Sequence, residues 1–259
     1  TQGVSSAASD VYKRQFLHHY QQEHGVKLRD RIFANLPRHA PLLTKFAPLL
    51  HLRDRIPGLA QISENLLGIQ GNRKLPEWSS SPFRDEEVTS QTGEKTVVLF
   101  TDTFGTWFEP QGLRDAVTVL QNSGYEVQAL GASSSSSRLC CGRTYLSSGL
   151  LREARQEALK VIGRLHKFVE SGIPVVGLEP SCMFTIRDDY PSLVPGSDSE
   201  ALASHVQLLD EFLFQEHQKG QLKLPLRKIS QEKIWVHGHC HQKAANATGS
   251  TLGLSLIHI

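Results

Sequence analysis

The sequence predicts an α/β fold, a parallel sheet with flanking helices, preceded by a helical arm. Three observations carry that prediction. From Lys95 onward, short apolar runs alternate with amphipathic helical stretches, the pattern of strand–helix–strand units with right-handed crossovers. Residues 16–75 instead carry Pro37, Pro41, Pro48 and Pro57. Each proline fixes φ and removes a donor, so short helices are expected there. All four cysteines sit in short runs rich in Gly, Pro or His, which places the chemistry on loops.

At the two ends, Ser5 to Gln15 and Leu254 to Ile259 read as translated adaptor sequence. Residues 1–15 and 254–259 are therefore set apart from the fold, and the natural protein is expected to continue in both directions. Residues 16–94 read as a helical connecting arm and linker, the linker being the polar, Pro- and Ser-rich stretch 76–94. The arm is basic (Arg29, Arg31, Arg38, Lys45, Arg53, Arg55, Arg73, Lys74), read as a solvated helical face in preference to a docking surface. It is expected to make few contacts with the sheet.

Residues 95–253 form the cysteine-rich α/β domain. Thr96 to Phe100 is a short apolar run suited to a buried parallel strand. Leu113, Ala116, Val117 and Leu120 stand at helical spacing from about Pro110, with Gly124 as the stop. Tyr125 to Leu130 is the second strand, followed by a serine run. Leu151, Ala154, Ala158, Val161, Ile162, Leu165 and Val169 form the stripe of a long helix from about Leu150 to Ser171. Ile173 to Leu178 is the third strand. A further helix carries Leu202, Val206, Leu209 and Leu213, and Lys233 to His237 is expected to be the fourth strand.

Composition excludes several classes of function. The 259 residues are 39% hydrophobic and 21% charged, with a net charge of +2. This is ordinary for a globular protein and leaves no basic footprint for nucleic acid. Four cysteines are too few for a disulfide scaffold, and no Cys-x-x-Cys suggests a zinc ribbon or a thioredoxin-type pair. Neither a leader nor a membrane span is legible. A cytoplasmic location is expected, with peripheral attachment to the inner membrane as the variant.

In parallel sheets, ligands bind beyond the carboxyl ends of the strands, where every unusual motif falls. Asp102 follows the first strand, Cys140-Cys141-Gly142-Arg143 the second, Glu179-Pro-Ser-Cys182 the third and His237-Gly-His239-Cys240-His241 the fourth. Adjacent cysteines do not readily bridge each other, because neighbouring Cα atoms lie too close. Two thiols on a glycine turn instead suit a shared iron–sulfur cluster or soft metal. Cys140, Cys141, Cys182 and Cys240 are candidate soft ligands, and His239 and His241 candidate ligands beside them. Gly142 lets the backbone turn close to a cofactor. Arg143 is either a thiolate or carboxylate partner or a surface arginine, Glu179 either an outer acid or an unpaired loop carboxylate, and Asp102 either a hydrogen-bond acceptor at the site or a helix cap. His237, His239 and His241 alternate and would share one face of an extended segment, to ligate, relay protons or orient a substrate. The competing reading is four buried cysteines acting as small hydrophobes.

Leu-Cys-Cys-Gly-Arg, then Val-Val-Gly-Leu-Glu-Pro-Ser-Cys with Arg-Asp-Asp-Tyr-Pro, then Val-His-Gly-His-Cys-His-Gln-Lys-Ala, together resemble the cysteine-rich "CCG" region of iron–sulfur oxidoreductases. The type it resembles most joins an FAD domain, a ferredoxin-like segment and this region in one polypeptide, and oxidises D-lactate, D-2-hydroxyglutarate or similar 2-hydroxy acids. The resemblance implies an electron-transfer region, with electrons passing from flavin through 4Fe–4S-type centres toward a quinone or another electron carrier. It places FAD and the ferredoxin-like segment upstream, as partners of this chain, which alone would not oxidise substrate. Two departures stand out. Asp102-Thr-Phe occupies the place where cluster-carrying units often begin with Cys, and Met183-Phe-Thr follows Cys182 in place of a Cys-x-x-Cys partner. Cluster loading by this stretch therefore stays open, against a structural zinc, a domain-docking module, or direct thiol redox chemistry at Cys140 or Cys141.

Overall fold

The computed structural model describes residues 6–89, 93–132, 138–224, 233 and 235–257. The arm comprises α1 (Ser6–His24), α2 (Leu28–Ala34), α3 (Leu36–Lys45), α4 (Ala47–Leu50), α5 (Leu52–Arg55) and α6 (Leu59–Leu67). Prolines start α3 and α4, as expected, but Pro41 lies inside α3. The arm docks through its small residues. Ala34, Ala40 and Ala47 are buried, while Leu42, Phe46, Leu49 and Leu50 stay exposed. The Ala34 carbonyl accepts the Thr144 hydroxyl at 2.9 Å, tying α2 to the short helix Arg143–Ser147 that follows Cys140 and Cys141.

The stretch expected to be a linker is pinned in part. Phe83 is buried in the core. Asp85, in the short 3₁₀ turn Asp85–Glu87, accepts the Thr101 hydroxyl at 2.8 Å and the Gly131 amide at 3.2 Å.

The sheet domain then runs β1 (Lys95–Thr101), α7 (Thr103–Trp107), α8 (Pro110–Asn122), β2 (Tyr125–Gly131), α9 (Arg143–Ser147), α10 (Leu151–Glu170), β3 (Val175–Gly177) and α11 (Pro180–Phe184). A π turn (Thr185–Asp189) leads to α12 (Tyr190–Leu193), α13 (Ser197–His205), β4 (Val206–Leu208), α14 (Leu209–Gln218), α15 (Cys240–Ala244) and α16 (Gly249–Ile257). The α/β class is as the sequence predicts. All pairings are parallel, in the order β2-β1-β3-β4, with Thr101 opposite Gly131, Phe100 opposite Gly177, and Gly177 opposite Leu208.

The two faces of the sheet follow from the two-residue period of a strand. Val97 and Leu99 pack with Leu113, Ala116 and Leu120 of α8 and with Phe212 and Leu213 of α14. Val98 and Phe100 face Ala158, Val161, Ile162 and Leu165 of α10, together with Met183, Ile186 and Leu202.

The fourth strand is a correction. It is Val206–Leu208, inside the stretch expected to form one long helix. Val206 and Leu208 are both buried, and Gln207 lies between them. Three residues at strand period suffice once a neighbouring strand offers its edge, so pairing overrides the helical spacing. Lys233 and residues 235–239 have no strand structure, and Ile234 lies outside the described residues. Trp235 is 92% exposed, so the expected strand has no core to face. Both stretches set apart as adaptor-like join helices: α1 crosses residue 15, and α16 crosses residue 254, where Leu254 packs against the α8–α14 face.

Candidate functional site

The connection from β1 to β2 passes over one face of the sheet through α8, and the return from β2 to β3 passes over the other through α10. The strand order therefore reverses between β1 and β3, and the carboxyl ends of strands at such a reversal are where open α/β sheets bind ligands. Asp102 follows β1 at that point, and Glu179 and Cys182 follow β3.

Cys140, Cys141 and Cys182 are all buried. The Gly142 amide donates to Cys140 Sγ at 3.3 Å, Cys140 is hydrogen-bonded to Cys141, and Cys141 donates to Cys182 with the sulfurs 2.9 Å apart. The three thiols thus lie in one row, Cys140, Cys141, Cys182. Its hydrogen bond to Cys141 pushes the Cys140 thiol well up, and burial adds to it. At Cys182 the bond from Cys141 favours the thiolate, but burial and the nearby Asp102 carboxylate outweigh it, and the thiol is pushed up to about 11. Cys141 is likewise raised: the bond accepted from Cys140 is outweighed by the one given to Cys182 and by burial. All three are thiols at neutral pH.

Gly142 makes the turn. Its φ is +80°, in the left-handed region, and a Cβ there would stand 3.2 Å from the Ala154 carbonyl oxygen. The Cys141 carbonyl accepts the Tyr190 hydroxyl at 3.0 Å. Tyr190 is wholly buried, and burial followed by the three neighbouring sulfurs holds its phenol neutral.

Asp102 caps α7: its Oδ1 accepts the Phe104 and Gly105 amides at 2.8 and 2.9 Å. The cap reading is therefore correct, and it leaves the other oxygen over. Oδ2 is buried with no hydrogen-bond partner. Burial, then the Glu179 charge, lifts the carboxyl to about 6. Glu179 caps α11, accepting the Ser181 amide at 3.1 Å and the Ser181 hydroxyl at 2.6 Å, and its Oε1 lies 3.8 Å from His239 Nε2.

Residues 237–241 differ from expectation. His239 caps α15, accepting the His241 amide on Nδ1 at 3.2 Å, and the two rings stack with centroids 5.2 Å apart. Arg143 meets His241 Nε2 at 2.8 Å and Asp189 at 3.6 Å. A guanidinium can only donate, so His241 Nε2 is the acceptor. The three histidines do not share one face of an extended segment, because Cys240 and His241 begin a helix and His237 is exposed. Cys240 is exposed as well and follows no strand. Asp102, Cys140, Cys141, Arg143, Glu179, Cys182, His239 and His241 therefore gather at one end of the sheet, while Cys240 and His237 are exposed beside them. Tyr190 and Asp189 were not singled out by the sequence reading. Their signal was the Arg-Asp-Asp-Tyr-Pro run, quoted for its resemblance but given no role.

The donors fit a soft metal or iron–sulfur group in type: three buried sulfurs side by side, with a fourth on the segment that packs next to them. They do not yet fit in spacing. Four sulfurs set tetrahedrally at about 2.3 Å from a metal stand about 3.8 Å apart, whereas Cys141 and Cys182 are 2.9 Å apart. Among the described residues, no three Cys, His, Asp or Glu side chains are arranged to hold a metal ion. Ligation by Cys141 and Cys182 together requires their sulfurs to separate.

The chain is 28% identical over 232 residues to a subunit of the anaerobic glycerol-3-phosphate dehydrogenase of Escherichia coli K12, an alignment covering 88% of this chain and 57% of that one. It is 22% identical over 246 residues to the D-2-hydroxyglutarate dehydrogenase of the same strain, covering 90% of this chain and 23% of that one. The Haemophilus influenzae D-2-hydroxyglutarate dehydrogenase is 23% identical over 231 residues, with 85% and 22% covered. The resemblance read from the cysteine motifs is borne out: the relatives are dehydrogenases, and this chain corresponds to a part of each. It spans little more than half the length of the first and under a quarter of the others. No family model and no solved structure matches the chain. No helix among the described residues is long and apolar enough to cross a membrane.

Proposed function

We propose that the chain is the cysteine-rich electron-transfer region of a larger flavin-dependent, iron–sulfur dehydrogenase, relaying electrons toward a quinone or another carrier. The single observation that supports this most is the set of three buried thiols at the point where the strand order reverses. Two relatives named for glycerol 3-phosphate and D-2-hydroxyglutarate add a substrate class, since both molecules carry a secondary alcohol at C2. A 2-hydroxy acid is the proposed substrate of the parent enzyme, oxidised at a flavin outside this chain.

Cys140, Cys141 and Cys182, with Cys240 closing from the neighbouring segment, are the proposed ligands, and His239 and His241 flank them. When bound, an iron–sulfur group would supply one-electron transfer. The chain's own residues do the rest. The apolar packing of Val98, Phe100, Leu139 and Ile186 excludes water from the thiols. Gly142 and Tyr190 fix the Cys140–Cys141 backbone. Arg143, between His241 and Asp189, holds the outer segment against the sheet domain.

The test is made in the full polypeptide. Cys140→Ser or Cys141→Ser should abolish acceptor reduction while stopped-flow reduction of flavin by substrate survives, because serine is a far poorer soft-metal ligand than thiolate. Wild-type rates for both steps in a folded variant would make the cysteines structural. Collapse of both together would mean that the region builds the flavin site.

A further inference from the structure

We infer that Cys141 and Cys182, when no metal or cluster holds them apart, are an oxidisable pair whose disulfide shuts the donor set. The inference rests on the reading of these thiols as ligands and adds a regulation to it. Their sulfurs are 2.9 Å apart, so reaching a disulfide bond of about 2.05 Å takes about 0.9 Å of movement. That movement is opposite to the separation ligation requires, so the two fates exclude each other.

Geometry selects this pair among the four cysteines. Cys140 and Cys141 are chain neighbours, and neighbouring Cα atoms, about 3.8 Å apart, fall short of the usual disulfide range of about 4.4 to 6.8 Å. Cys140 is in addition engaged by the Gly142 amide. Cys240 is exposed on a separate helix. Cys141 and Cys182 come instead from two separate segments, the loop after β2 and helix α11 after β3, on opposite sides of β1. Both segments are anchored, the first by the buried Tyr190 on the Cys141 carbonyl and the second by Glu179 at the start of α11.

The oxidant is a small peroxide, because both sulfurs are nearly inaccessible. One sulfur attacks hydrogen peroxide, the O–O bond breaks, and a sulfenic acid and one water form. The second sulfur then displaces the sulfenic oxygen as a second water and the S–S bond forms. Two thiols lose two electrons and two protons, and one peroxide becomes two waters. A reducing thiol reverses the step by exchange, and the burial that slows oxidation slows that reversal too.

The experiment uses the whole chain, wild type and Cys240→Ser, the variant removing cross-linking between molecules through the exposed thiol. Each is reduced, freed of reductant without oxygen, treated with hydrogen peroxide, alkylated, digested without reduction and mapped by mass spectrometry. The expected result in both is a peptide link whose fragments join Cys141 to Cys182, with Cys140 alkylated. The oxidised chain should take up less than a tenth of the iron that the reduced chain binds from ferrous iron and sulfide, and dithiothreitol should restore the uptake. A link from Cys182 to Cys140 or to Cys240, a Cys141 that stays open to alkylation, or equal iron uptake by the oxidised and reduced chains would overturn the inference. Failure of both forms to take up iron would overturn the cluster reading instead, and the peptide link alone then decides the pair.

Discussion

Two halves of the candidate site are held in different ways. Cys140 and Cys141 ride on the loop after β2 and Cys182 on α11 after β3, at one end of a sheet covered on both faces, and each is buried. Cys240 and His237 belong to a stretch with no strand structure, whose Trp235 lies open to solvent. The first half is positioned by the fold. The second is positioned by a few polar contacts, Arg143 to His241 and Glu179 near His239. In the proposed site three sulfurs are fixed in place by folding and Cys240 is not, so the proposal makes occupation a step in which the outer segment moves. Metal binding and local ordering are coupled whenever a site is incomplete beforehand.

The largest effect that separates the halves is on stability. Phe100→Ala removes a fully buried ring between β1 and α10 and should cost about 3–5 kcal/mol. Trp235→Ala, at an exposed position, should stay within about 0.5 kcal/mol of wild type. Urea unfolding of both variants checks this. A large loss from Trp235→Ala would show that the outer segment is part of the core.

Asp102→Asn comes next and carries a pH signature. The buried carboxyl is raised from 3.8 to about 6, so the folded state holds its proton over a range where the unfolded chain has lost it. Stability from this group is full below pH 3.8 and lost as pH rises through about 6. Asparagine keeps the cap, because its side-chain oxygen can accept the same two amides. At pH 7.5 the variant should therefore unfold later than wild type, by about 3 kcal/mol at most from 1.36 kcal/mol per pH unit. The gain should vanish by about pH 4. A gain independent of pH would mean that Asp102 is not the buried acid described.

The smallest of the three is Gly142→Ala. A side chain in the left-handed region costs about 1–2 kcal/mol, and here it also crowds the Ala154 carbonyl. The thermal midpoint should fall by a few degrees, and the alkylation rate should change at Cys141 but not at Cys240. An unchanged midpoint would mean that the turn is looser than its φ suggests.

The same contrast decides what the sequence made legible. The strand at 95–101 was readable from its short apolar run, and that at 125–131 from apolar residues directly after the turn signal at Gly124. The long helix from Leu151 was readable because its stripe persists for about five turns. Val206–Leu208 was not, since three residues carry no period and their pairing comes from β3. Lys233 to His237 misled because apolar residues near a His-rich motif look like a strand when no partner is in view. The convergence of Asp102, Cys140, Cys141, Glu179 and Cys182 was legible from topology alone: each follows a strand of one parallel sheet. Tyr190 was not, because its value lies in a backbone carbonyl 49 residues away. The free oxygen of Asp102 could not be read either, since a cap motif does not report the burial of the oxygen it leaves over.

The central claim is that the three buried thiols form the fixed part of a soft-metal or iron–sulfur site, which the Cys240 segment completes. Anaerobic loading of the reduced chain with ferrous iron and sulfide tests it most directly, read as iron retained per chain after desalting and as visible absorption. Wild type should emerge coloured and iron-bearing, Cys141→Ser and Cys182→Ser colourless, and Cys240→Ser coloured but quicker to lose iron to a chelator. A colourless wild type that retains zinc in place of iron, or a Cys141→Ser variant that loads as fully as wild type, would contradict the account.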